Sequence, residues 1–175
     1  MSQSAGKLDY KRTLFLGFGF LASSLAWSIY NSLVPVLLEQ RFMLSTVVIG
    51  TIMTIDNIFG IIFQPLVGAS SDKTFTRYGR RMPWIIIGIP LSAIFFTLIP
   101  WAQSLGLMMA FIICFNLIMS MWRSPVIALM PDLTPRALRS KANGIINLMG
   151  GIGSIIAFLF GGILANMDSS GRLTF

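Results

Sequence analysis

The chain has 175 residues, 55% hydrophobic and 11% charged, with a mean hydropathy of +0.79 and a formal net charge of +7. Soluble domains carry about 25% charged residues, so this composition excludes a water-soluble globular domain and a disordered chain and points to an integral membrane protein. The absence of histidine and the single cysteine, Cys114, exclude an internal disulfide, Cys/His zinc sites and Ser-His or Cys-His catalysis.

Five apolar runs reach the roughly 20 residues that a spanning helix needs. They are continuous rather than alternating, which favours helices over a barrel. The first runs over Thr13–Leu38. It is too long for the h-region of a signal peptide, has no credible cleavage site, and is read as a retained helix. Ser24, Ser28 and Asn31 share one of its faces, with Trp27 and Tyr30 beside them. Aromatic rings next to hydroxyl and amide groups suit a sugar, with its apolar C–H faces and many hydroxyls. The same groups also serve as hydrogen-bonding glue between helices.

The second span covers Ser45–Ser70. Asp56 lies eleven residues into it, about 16 Å deep at a helical rise and so near the midplane. Asp56, Gly60 and Gln64 recur at helical spacing, and Asn57 adjoins them. A carboxylate this deep suggests proton or cation coupling, or an acceptor for a substrate hydroxyl. A buried carboxylate paired for packing is the alternative. The third span covers Met82–Trp101, with Trp101 placed as an interfacial anchor.

The fourth span covers Leu105–Met130. Asn116, Ser120 and Arg123 share a face. Arg123 suits an anion or an acid such as Asp56, and it can equally snorkel to the interface. Cys114 reads as a small apolar residue. The fifth span covers Ala142–Ala165 and is rich in small residues. Gly150 with Ser154, and Ala157 with Gly161, form pairs suited to close helix packing. Pro65, Pro90 and Pro125 can kink their helices.

The cations sort by side. Lys7, Lys11 and Arg12 precede span one; Lys73, Arg77, Arg80 and Arg81 follow span two; Arg136, Arg139 and Lys141 follow span four. Only Arg41 and Arg172 lie on the other side. Ten against two places the N-terminus in the cytoplasm. The expected organisation is a cytoplasmic tail at 1–12, a five-helix bundle at 13–165 and an external tail at 166–175.

The segment after span two runs from Gly68 through Asp72 and Lys73 to Arg77, Gly79, Arg80 and Arg81. It resembles the cytoplasmic signature of the major facilitator superfamily, G-x-x-x-D-(R/K)-x-G-(R/K)-(R/K), with four residues, Lys73–Thr76, inserted after Asp72. The longer form is similar to that of the sucrose-type and glycoside–pentoside–hexuronide:cation symporter branch. Gln64–Gly68 before it and Met82–Gly88 after it extend the match. The stretch Arg123–Gly144 looks like that branch's passage from helix four to helix five.

The resemblance implies an all-α membrane protein whose five helices correspond to helices 1–5 of a twelve-helix fold, with helix six and the second half beyond this chain. It implies a charge latch of Gly68, Asp72, Arg77, Gly79, Arg80 and Arg81, joined by Asp132. Topology alone also accounts for the arginines. Two departures matter. Melibiose-type sodium symporters place two acids where Gly60 and Gln64 stand here. Sucrose-type proton symporters carry an acid where this chain has Asn116. Asp56 is then the one midplane acid.

The leading expectation is the N-terminal part of a secondary transporter, a proton-coupled sugar symporter working by alternating access. Trp27, Tyr30, Asn31, Asn116 and Arg123 would line its cavity, and Asp56 would couple the ion. Its partners would be the bilayer of the plasma (inner) membrane, a small polar substrate with a proton, and the C-terminal half. A non-transporting membrane scaffold or truncated remnant is the alternative. No enzyme activity, cofactor, metal or nucleic-acid partner is expected.

Overall fold

A computed structural model describes residues 8–77 and 79–165, with the backbone alone at Asp56, Phe59 and 162–165. Lys7, Tyr78, the tail 166–175 and the Asp56 side chain therefore lie outside the described residues.

Five long helices follow one another: α1 (Tyr10–Phe42), α2 (Thr46–Lys73), α3 (Met82–Leu98), α4 (Leu105–Leu133) and α5 (Arg139–Ala165). Short 3-10 turns, Ile99–Trp101 and Arg136–Leu138, end α3 and precede α5. All five are long and apolar enough to cross a membrane when the turns are counted with their helices. The 33 residues of α1 span about 50 Å, which exceeds a roughly 30 Å hydrocarbon layer and requires tilt or projecting ends.

The helices begin or end beyond the apolar runs because polar residues cap them. Asp9 caps α1: its Oδ1 accepts the backbone N–H of Arg12 at 3.2 Å, and its carbonyl accepts the Thr13 hydroxyl at 3.0 Å. An aspartate at this position satisfies donors that the first turn leaves open. Residues 10–12, expected in the N-terminal tail, are therefore helical. Arg139 caps α4 from the other side. Its Nη2 donates to the Pro131 carbonyl at 2.8 Å and its Nε to Thr134 at 3.2 Å, so a cation meets the negative end of the helix. Consequently α4 runs on to Leu133 and α5 starts at Arg139.

The chain divides into two compact units. One holds the described residues up to Leu33 and from Met130 onward; the other is Val34–Leu129. In the first, α5 buries Ala142, Ile146, Met149, Gly150, Gly153 and Ala157, a stripe at helical spacing. Its glycines meet α1 directly. A Cβ on Gly153 would strike the backbone of Leu21, and one on Gly150 would lie 3.0 Å from the Ser24 hydroxyl. From α1, Gly17 receives the sulfur of Met149. The seam expected from the small residues is present, but Gly153 makes its closest approach to backbone, while Ser154 and Gly161 are half-buried.

In the second unit the core centres on α4, which buries Ile112, Phe115, Asn116, Met119, Ser120, Trp122 and Val126. α3 meets it through Gly88, where an added Cβ would come within 2.5 Å of Trp122 Cβ. The Trp122 indole N–H then reaches the Ser92 hydroxyl at 3.2 Å. A buried tryptophan needs such a partner for its donor.

Candidate transport site and the connection from α2 to α3

Trp27 and Tyr30 stack, with ring centroids 5.6 Å apart and planes at 26°. Tyr30 is fully buried, and Trp27 is half-buried. Asn31 is exposed, and its side-chain amide donates to the Trp27 carbonyl at 2.9 Å. The three α1 residues among the five expected to line a cavity thus form one cluster, with Asn31 at its exposed edge.

Asn116, Arg123 and Asp56 belong to the other unit. Asn116 is buried and donates to the Ile112 carbonyl one turn back at 3.0 Å. Arg123 is half-buried on α4. Gly60 and Gln64, which continue the Asp56 face, line a groove of about 290 Å³ between α2 and α4 with Ile61, Pro65, Gly68 and Ser124. Two features give the groove its polarity. Pro65 has no N–H to give the Ile61 carbonyl, and the Ser124 hydroxyl crosses from α4 to the Gln64 carbonyl at 2.8 Å.

The arginine-rich connection is ordered by its own side chains. Asp72, in the last turn of α2, meets Arg81, just before α3, with Nη2 and Oδ1 2.7 Å apart. The pair is asymmetric: the Arg81 side chain is 8% exposed and that of Asp72 is 52% exposed. A buried guanidinium needs an anionic partner to offset its lost hydration. Arg77 and Arg80 are exposed, so the ion pair with Asp72 singles out Arg81 from the three arginines of the expected latch. Asp132 is exposed in the last turn of α4.

The segment Lys73–Thr76 supplies the fastenings. The Trp84 indole N–H donates to Thr74 Oγ1 at 3.0 Å. The Thr76 hydroxyl donates to the Gly79 carbonyl at 2.7 Å, and the Gly79 N–H returns a bond to Thr76 at 3.0 Å. That turn holds Gly79 at φ +102°, a backbone region open to glycine and costly for other residues. Thr74, Thr76 and Trp84 are the residues that reading the sequence missed. A pair of threonines leading into an Arg-x-Gly turn, with a tryptophan shortly after, was the available signal.

Residues 16–175 match the major facilitator superfamily. The chain belongs to that family. It is 30% identical over 145 residues to an uncharacterized symporter of Synechocystis sp., a match covering 76% of this chain and 27% of the relative. It is 31% identical over 120 residues to a sucrose transport protein of Arabidopsis thaliana, covering 58% and 24%. With proton-associated sugar transporter A of Homo sapiens it shares 25% over 180 residues, covering 94% and 24%. The chain therefore spans about a quarter of the length of these relatives.

Membership of the superfamily and five long apolar helices make this an integral membrane protein. The two glycines of the superfamily signature have separate physical roles here. Gly79 makes the turn. Gly68 lies inside α2 rather than in the loop, where a Cβ would stand 3.0 Å from the Ser124 hydroxyl. It lets α2 and α4 approach where Ser124 reaches Gln64.

Proposed function

We propose that the protein is a secondary active transporter that carries a sugar together with a proton by alternating access, with its N-terminus in the cytoplasm of a plasma (inner) membrane. The observation that carries this reading is the Asp72–Arg81 pair, held across the ends of α2 and α3 by an ordered loop. A half-exposed carboxylate paired with a buried guanidinium is suited to exchange partners when helix ends move, because water can reach one member and not the other. Arg77, Arg80 and Asp132 would join this cluster as the access state changes. The names of the sucrose and sugar-transporting relatives support a sugar as substrate.

Trp27, Tyr30 and Asn31 would form the aromatic and amide side of the sugar site, with Asn116 and Arg123 contributing from α4. Asp56, on the face continued by Gly60 and Gln64, would take up and release the proton. The C-terminal half of the transporter would complete the cavity. The competing scaffold reading draws on the glycine faces of α5, but α1 already occupies the one that carries Gly150 and Gly153 within one unit.

The test is Asp56→Asn in the full-length protein, reconstituted in vesicles. Uptake driven by an imposed pH gradient should fall to background, while exchange of labelled for unlabelled sugar across the vesicle wall persists. Gradient-driven accumulation that survives the substitution would exclude Asp56 as the coupling group.

A further inference from the structure

The end of α1 and the turn that closes α3 form a second, unassigned site. Arg41 Nη1 donates to the Pro100 carbonyl and, at 3.4 Å, to that of Ala102. Two carbonyls on one nitrogen fix the guanidinium against the turn. Among the described residues, its Nε and Nη2 make no hydrogen bond and no carboxylate pairs with it. Glu39 is two positions earlier, on the opposite side of the helix. Arg41 lines a pocket of about 680 Å³ with Phe42, Pro100, Trp101, Ala102 and Gln103.

The surroundings of this cation are apolar and exposed. Trp101 is 76% exposed and Met43 is 86% exposed. Met43 also ends α1 at φ +52°, with its N–H on the Glu39 carbonyl at 3.0 Å. Glycine is the usual residue at such a helix end, so a long apolar side chain is carried there against backbone strain. In water these two side chains would be a liability. At the boundary of headgroups and hydrocarbon both are satisfied, since a tryptophan and an apolar side chain favour that layer.

We propose that this pocket holds the phosphate of a glycerophospholipid headgroup. The open edge of the Arg41 guanidinium would present paired N–H donors to the phosphate oxygens, with the Gln103 amide as a further donor. Met43 and Trp101 would enter the acyl boundary beside it. A soluble anion would account for Arg41 but leaves Met43 and Trp101 unexplained. The site does not depend on the transport reading.

Native mass spectrometry of the full chain in detergent micelles tests this, with phosphatidylglycerol as the probe. Diacylglycerol of the same chain length and inorganic phosphate serve as comparisons. The wild type should retain phosphatidylglycerol in preference to diacylglycerol. Arg41→Gln should weaken retention about tenfold, as expected for loss of a charge-assisted bond to phosphate, and Lys141→Gln, removing an exposed charge elsewhere, should not. If Arg41→Gln loses its helical circular dichroism, the exposed Gln103→Ala and Trp101→Ala decide the matter, each expected to weaken retention about threefold. Equal retention by wild type and folded variants would overturn the proposal. So would equal retention of diacylglycerol, or displacement of the lipid by inorganic phosphate at equal concentration.

Discussion

The seam between α1 and α5 and the seam between α2 and α4 solve the same problem in opposite ways. In the first, Gly153 brings backbone against the backbone of Leu21, Gly150 faces the Ser24 hydroxyl, and Gly17 seats the thioether of Met149. Contact there is mainly steric. In the second, Gly68 permits the approach, but a groove remains, and a serine hydroxyl bridges to a backbone carbonyl. Bilayer lipid is as apolar as leucine, so helices in it associate through close packing and hydrogen bonds rather than hydrophobic expulsion. One seam relies on packing and the other on hydrogen bonding. The difference predicts that α1–α5 is the stiffer seam and that α2–α4 yields more readily.

The contrast can be broken at its strongest point by Gly153→Leu. With the Leu21 backbone in the way, the added side chain should cost about 3 kcal/mol, read as a lower midpoint of thermal unfolding in detergent. Gly151→Leu, where nothing lies within 4 Å, is the matched comparison and should leave that midpoint unchanged. If both substitutions are tolerated alike, the α1–α5 joint is not steric.

A smaller effect is expected at the ion pair. Arg81→Gln removes a buried charge whose partner is half in water, so the loss should be about 1–2 kcal/mol rather than the larger cost of a fully buried pair. Loosening of the loop would appear as faster tryptic cleavage after Arg77. An unchanged cleavage rate would show that Asp72–Arg81 does not hold the loop. The smallest change is expected from Ser124→Ala, about 1 kcal/mol for one hydrogen bond. It should also ease Gly68→Ala, because the hydroxyl that the new methyl meets is gone. A double-mutant cycle between the two positions should therefore show coupling, and simple additivity would place the α2–α4 contact elsewhere.

Much of this architecture was legible in the residues. Continuous apolar runs, separated by clustered cations, specify five helices in their observed order. The signature placed Asp72 beside a cluster of arginines at one short connection, without choosing among them. The ends of the helices were read too short, since hydropathy marks where a chain is apolar and not where a helix stops. Asp9 and Arg139 extend α1, α4 and α5 through polar caps that hydropathy treats as interruptions. The signature grouped Gly68 with the loop residues although the apolar run to Ser70 contains it; the approach of Ser124 shows that it serves a helix crossing. For Tyr30 the limit was different. A tyrosine among serines reads as part of a polar surface, whereas its burial depends on neighbours that no local pattern specifies. Which of three arginines would take Asp72 was equally beyond spacing, because the turn at Gly79 decides it.

The bond from Trp84 to Thr74 ties a residue of α3 to a residue of the inserted segment. Insertion and indole are therefore structurally coupled. Removing Lys73–Thr76 would not merely shorten a connection; it would strand a donor in the first turn of α3. A loop shortened by these four residues would lack the Thr74 hydroxyl, and a tryptophan at position 84 would then lose this partner. Loop length and that one side chain should be gained and lost together, so that the pair serves as a marker of descent within the superfamily.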